Sequence, residues 1–280
     1  MRTRKILAAA AAAAISTIAA ITAPTATALP SPQNPQSFLN CANKQVVFVP
    51  GGANTVPGVP EKLPHGSITA QMGLKLGLQP DTNLTYVGYQ AFPFAVSTYQ
   101  DSSNDGYQRT AAAIHRIQNN CPNSKINLVG YSEGADVAAR ILNDSAHNRG
   151  PLRKDKLASA VLYANPYQGG NGAAQWPTDM SGATGALGHL DGGFGDLAPN
   201  VLEVCHSGDA ICNYPEKYRG LVSPYMKMDL LHGQLPLVQL VKEAVHYQPQ
   251  DYINITKGLM NHVQYGGVDA QVGADWINKH

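Results

Sequence analysis

Apolar and polar positions along residues 125–142, KINLVGYSEGADVAARIL, change period partway through. Residues 126–129 form a short apolar-rich run, which predicts a buried strand. A sharp turn follows, Gly130-Tyr131-Ser132-Glu133-Gly134. Val137, Ala138, Ile141 and Leu142 then recur at three- and four-residue steps, the period of a helix. The same grammar extends along the chain. Strands are predicted at 45–49, 84–89, 157–164 and 201–205. Helices are predicted at 67–78 and at 106–119, the second with Ala111, Ile114 and Ile117 on one side. Strands separated by helices imply βαβ units in an α/β fold, with a mainly parallel sheet covered on both faces.

Other stretches lack such a period. Residues 50–54, Pro-Gly-Gly-Ala-Asn, break the first strand, and 91–105 reads as loop. Residues 168–196 are rich in glycine and poor in aliphatics, which predicts a long loop, functional or merely solvated. Residues 215–256 carry Leu221, Met226, Met228, Leu230, Leu231, Leu235, Leu237, Leu240 and Val241. They read either as helical core or as a lid-like insertion that walls an acyl chain, where methionine adapts to a flexible ligand.

The first residues belong to another class. Arg2, Arg4 and Lys5 precede an uncharged alanine-rich run over 6–21, and Ala26-Thr27-Ala28 fits a small-x-small cleavage rule. Residues 1–28 are expected to be a signal peptide, leaving 29–280 as one domain that is secreted to the exterior or the cell envelope. A membrane anchor fits the short run less well. Lys plus Arg number 20 and Asp plus Glu 19, and part of the positive charge lies in the leader. A nearly neutral mature chain argues against nucleic acid as a partner. Charged residues are only 14% of the chain, a composition that suits work at a lipid surface. The mature protein is expected to be soluble and monomeric.

Four cysteines in an exported chain imply two disulfides, with three connectivities open. The short spacing of Cys205 and Cys212 favours a local staple, which would pair Cys41 with Cys121. The absence of paired CxxC spacing argues against a metal site.

Ser132 stands at the centre of G-x-S-x-G. A nucleophile on such an elbow needs neighbours without Cβ atoms, and Gly130 and Gly134 supply them. The helix that follows offers its N-terminus to a developing oxyanion. Serine needs a histidine base, and the histidine needs a carboxylate; in this arrangement the chain order is Ser, acid, His. Asp209 follows a predicted strand and lies between Cys205 and Cys212. Asp191 and Asp196, in the glycine-rich stretch, are less well placed. Of the later histidines, His262 in Asn261-His262-Val263-Gln264 is read as a loop residue able to swing over Ser132, ahead of a last helix near Val268. His232, in the apolar segment beside Gly233, ranks second, and His246 lies in a helical run. The oxyanion donors would be the backbone N–H groups of Glu133 and Gly52.

With these residues assembled, the chain resembles the cutinase family of serine esterases. The likeness rests on Cys121-Pro122, the G-Y-S-E-G-A elbow, the G-G-F-G run from Gly192, the C-x3-D-x2-C loop, and His262 with Tyr265. The resemblance implies a three-layer α/β/α sandwich, a Ser132, Asp209, His262 triad, acyl-ester substrates of lipid type, and no cofactor. Many members carry glutamine where Glu133 stands. Two other functions stay open: acyl transfer to an alcohol from the same site, and a silent envelope-binding protein.

Overall fold

The computed structural model describes residues 41–180 and 182–280. The predicted signal peptide and the Pro-Gln-Ser arm at 31–36 lie outside them. The described chain opens with β1 (Lys44–Val49), α1 (Ser67–Leu76), β2 (Thr82–Tyr86) and α2 (Tyr99–Asn120). It continues with β3 (Lys125–Tyr131), α3 (Glu133–Ala146), β4 (Leu157–Tyr163), β5 (Ala174–Trp176) and β6 (Val201–Val204). Four helices close it: α4 (Val222–Met226), α5 (Leu237–Ala244), α6 (Pro249–His262) and α7 (Gly267–Lys279).

The six strands lie in the order β2-β1-β3-β4-β6-β5, and every pairing is parallel. Strand side chains alternate between the faces, so a sheet covered on both sides needs two cores. β1 supplies Val47 and Val49 to a core with Ile114 of α2 and Val137 and Ile141 of α3. Its intervening residues Val46 and Phe48 join Ile68 and Met72 of α1 and Ala270 and Ile277 of α7 on the other side. The result is a three-layer α/β/α sandwich. The order of strands reverses between β1 and β3, the kind of switch point at which open α/β sheets bind ligands.

Several elements differ from the sequence reading. α2 begins at Tyr99 and not near 106. Its first two turns are polar and lack an apolar stripe, but Thr98 caps them by accepting from the backbone N–H of Asp101 at 3.1 Å. The stretch 168–196 contains β5, a three-residue edge strand too short to show alternation. Its start is pinned as well: Asn165 and Asn171 both donate to the buried carboxyl of Glu203, at 2.8 and 2.7 Å. His262 is the last residue of a helix and not a loop residue.

The apolar stretch 215–256 is mostly not core. Tyr218 and Leu221 are buried, yet no residue of α5 is, and Leu231 and Val241 are 67% and 61% exposed. Residues 229–231 instead lie along the loop that follows β2, with Leu230 N–H donating to Phe94 O and Leu231 N–H to Ala95 O. Among the described residues no helix is long and apolar enough to cross a membrane.

Candidate active site

Ser132 sits between β3 and α3 with φ 56° and ψ −120°, a left-handed conformation that a non-glycine residue adopts only under constraint. The constraint is close packing. A Cβ on Gly134 would stand 2.0 Å from Val49 O, and one on Gly130 would stand 2.4 Å from Gly134 O. Both glycines are thus required for strand, turn and helix to meet. Ser132 N–H donates to Tyr163 O of β4 at 2.9 Å, which locks the turn to the sheet.

The acid arrives from the loop after β6. Asp209 is fully buried. Its carboxylate accepts from Ile211 N–H at 2.7 Å and from the Tyr265 hydroxyl at 2.8 Å. The Cys205–Cys212 disulfide closes this loop, and Cys41–Cys121 ties the start of the described chain to the residue after α2. Both bridges pair as the spacing favoured.

The base arrives from the end of α6. His262 Nε2 lies 2.8 Å from Ser132 Oγ, and Nδ1 lies 3.1 and 3.0 Å from the two Asp209 oxygens. With the proton on Nδ1, facing the carboxylate, Nε2 can accept from the serine hydroxyl. A helix C-terminus favours a cation, so α6 supports the imidazolium that would form. Tyr131 stacks on the His262 ring with centroids 5.5 Å apart and donates its hydroxyl to His262 O at 2.8 Å. Asn261 Nδ2 donates to Gly208 O at 3.1 Å and joins α6 to the acid loop.

The rival candidates lie elsewhere. Asp191, Asp196 and His246 are exposed. His232 is exposed and paired with its own neighbour Asp229, at 2.7 Å. Sequence reasoning passed over Tyr131, Asn261 and the bond from Tyr265 to Asp209. Two of those residues flank the serine and histidine directly, which was the available signal.

The loop after β1 lies against the elbow. A Cβ on Gly51 would come within 3.0 Å of Ser132 Cβ, and one on Gly52 within 3.2 Å of Glu133 Oε2. Glu133 is the first residue of α3, so its N–H has no partner within the helix. Its side chain turns away from solvent and is buried. Burial drives the carboxyl up to about 8, the nearby charge of Asp136 adds to the rise, and Ser102, Tyr89 and Arg140 oppose it. A separate cleft of about 270 Å³ opens beside Asp136 and Arg140, with Tyr99, Tyr167 and Met226 in its walls.

The family model for cutinase matches residues 41–227. The chain belongs to the cutinase family. A cutinase of Blumeria hordei is 31% identical over 109 residues, 39% of this chain and 35% of that protein. The carboxylesterase Culp6 homolog of Corynebacterium glutamicum is 28% identical over 138 residues, 42% of this chain and 44% of that protein. The chain thus spans less than half the length of these two relatives. Among solved structures, lysin B from Mycobacteriophage D29 superposes with a TM-score of 0.59 at 17% identity. That match covers 84% of this chain and 99% of the phage protein and supports the cutinase-like fold. The acid loop falls inside the matched cutinase region, whereas His262 falls beyond it.

Proposed function

We propose that this chain is a secreted serine esterase that cleaves carboxylic esters of lipid type through an acyl-enzyme. The observation that carries the reading is the Ser132–His262–Asp209 relay, at 2.8 Å and 3.0 Å, drawn from three segments far apart in sequence. His262 takes the serine proton as Oγ attacks the ester carbonyl. The N–H groups of Gly52 and Glu133 receive the oxyanion, and each such donor is worth about 3–4 kcal/mol in the transition state. The imidazolium protonates the departing alkoxide. Water then enters, gives its proton to His262, and releases the acid and Ser132.

Two features favour a substrate with an acyl chain. Exposed aliphatic residues are spread over 230–263, the segment that ends at the histidine, and residues 229–231 lie along the loop whose Pro93 abuts Gly52. Export is supported by the leader-like start and by two disulfides, which persist in oxidising surroundings.

The test is labelling by a fluorophosphonate probe together with turnover of p-nitrophenyl esters. Ser132→Ala should abolish both, and Asp209→Asn and His262→Ala should each lower kcat by about 10³- to 10⁴-fold. Labelling that survives Ser132→Ala would overturn the assignment. Product analysis with an added alcohol or sugar acceptor distinguishes hydrolysis from acyl transfer.

A further inference from the structure

Glu133 places a carboxyl where a charge would be most damaging. Its Oε2 lies against Gly52, whose N–H is assigned to the oxyanion. Neither oxygen has a hydrogen-bond partner, although both are buried. The two hydroxyls beside it are committed elsewhere: Tyr89 donates to Pro50 O at 2.7 Å and Ser102 to Gln90 O at 2.5 Å. Each has one proton, so donating to a Glu133 carboxylate would mean giving up its carbonyl. Each keeps lone pairs, however, and can accept from a carboxylic acid O–H.

The charged and titratable groups around it compensate only in part, since Ser102, Tyr89 and Arg140 lower the shift but burial outweighs them. From α3, Asp136 adds negative charge, and Arg140 is bound to Asp136 at 2.7 Å. From α2 come Tyr99 and Ser102, from the segment after β2 comes Tyr89, and the loop after β1 brings only uncharged backbone. A buried carboxylate with no donor is expensive, and such a group keeps its proton instead.

We propose that Glu133 serves as an uncharged carboxylic acid that supports the Gly52 loop, and that loss of its proton disables the oxyanion hole at alkaline pH. The proposal rests on the serine-esterase reading above. Ionisation releases the proton to solvent and leaves a carboxylate beside the site where a second negative charge must develop. Two like charges in a water-poor pocket repel strongly, and the cost falls on the transition state. Glu133 is a positioning residue here; it makes no bond to substrate through its side chain.

The experiment compares the pH profile of kcat/KM for the wild type and Glu133→Gln, using a soluble p-nitrophenyl ester. Glutamine keeps the shape of the acid and cannot ionise. Wild-type kcat/KM should fall above a midpoint near 8, the value set by burial. The ratio of kcat/KM at pH 9 to that at pH 7 should be about tenfold higher in Glu133→Gln, as removal of one ionisation requires. The same falling limb in both enzymes would overturn the proposal. A second measurement follows the side-chain carboxyl carbon of Glu133 by ¹³C NMR in the wild type, which needs neither turnover nor a folded variant. Titration near 8 supports the proposal, and titration in the ordinary carboxylate range refutes it even in a fully active enzyme. Loss of Ser132-dependent turnover, by contrast, sinks the esterase reading whatever the carboxyl does.

Discussion

Asp209 is held from three directions, by the His262 ring, the Ile211 N–H and the Tyr265 hydroxyl. This holding is what fixes the imidazole tautomer under Ser132. A hydrogen bond to a charged group is worth about 1.5–3 kcal/mol, so removing one should be visible in the rate. Tyr265→Phe keeps the ring that stacks on His206 but loses the bond to the carboxylate. Its kcat should fall by about tenfold or more with KM little changed, measured on a short-chain ester. An unchanged kcat would mean that Ile211 and His262 suffice to orient the acid. That Ser132, Asp209 and His262 would meet was legible in the sequence because motif and chain order restrict them strongly. The supporting roles of Tyr131 and Tyr265 were not, since sequence spacing does not say which way a side chain points. The orphaned oxygens of Glu133 were hidden for the same reason: the hydroxyls beside them, Tyr89 and Ser102, are far away in the chain and donate to carbonyls.

Three elements meet at the serine, and each is fixed by a different kind of constraint. The elbow depends on two glycines whose missing Cβ atoms make room for backbone. α6 depends on Asp251, whose carboxylate accepts from the Gln248 backbone N–H at 3.0 Å, and on Pro249 at its start, so its end delivers His262 without a flexible tether. The acid loop depends on a disulfide spanning seven residues, whereas the other bridge spans 80. In a chain-entropy account the short bridge contributes about 2.5 kcal/mol and the long one about 4.5 kcal/mol. The paired variant Cys205→Ser with Cys212→Ser should therefore lose less stability than Cys41→Ser with Cys121→Ser, yet more activity. Denaturant unfolding and ester turnover on both variants test this, and the reverse ranking of activity would detach the staple from Asp209. At this scale the sequence was readable where apolar periodicity is strong, as in β3 and α3. It failed at the polar first turns of α2, at the three-residue β5, and at the end of α6. There a cap, a neighbouring strand or a tertiary contact decides the conformation, and none of these leaves a periodic trace.

Over the whole molecule, the carboxyl ends of β1, β3 and β6 deliver Gly52, Ser132 and Asp209 to one side of the sheet. His262 comes from outside that pattern, carried on a helical segment that follows the region matched to cutinase. That segment connects Asp209 to His262 and runs along the loop that follows β2. Many of its aliphatic side chains point outward: Leu231, Val238, Val241, Met260 and Val263 are all exposed. Apolar residues left outside a core cost little to replace with polar ones, usually within about 0.5 kcal/mol. They gain value only when something apolar covers them. If that something is the acyl chain, each buried methylene is worth about 0.8 kcal/mol, or roughly fourfold in binding. kcat/KM should then rise with acyl length from acetate upward until the surface is filled. Leu231→Ser and Val241→Ser should flatten the rise while leaving the melting temperature almost unchanged. A profile that peaks at acetate or butyrate, and that both variants leave intact, would remove this segment from substrate recognition and leave the triad to act on short esters alone.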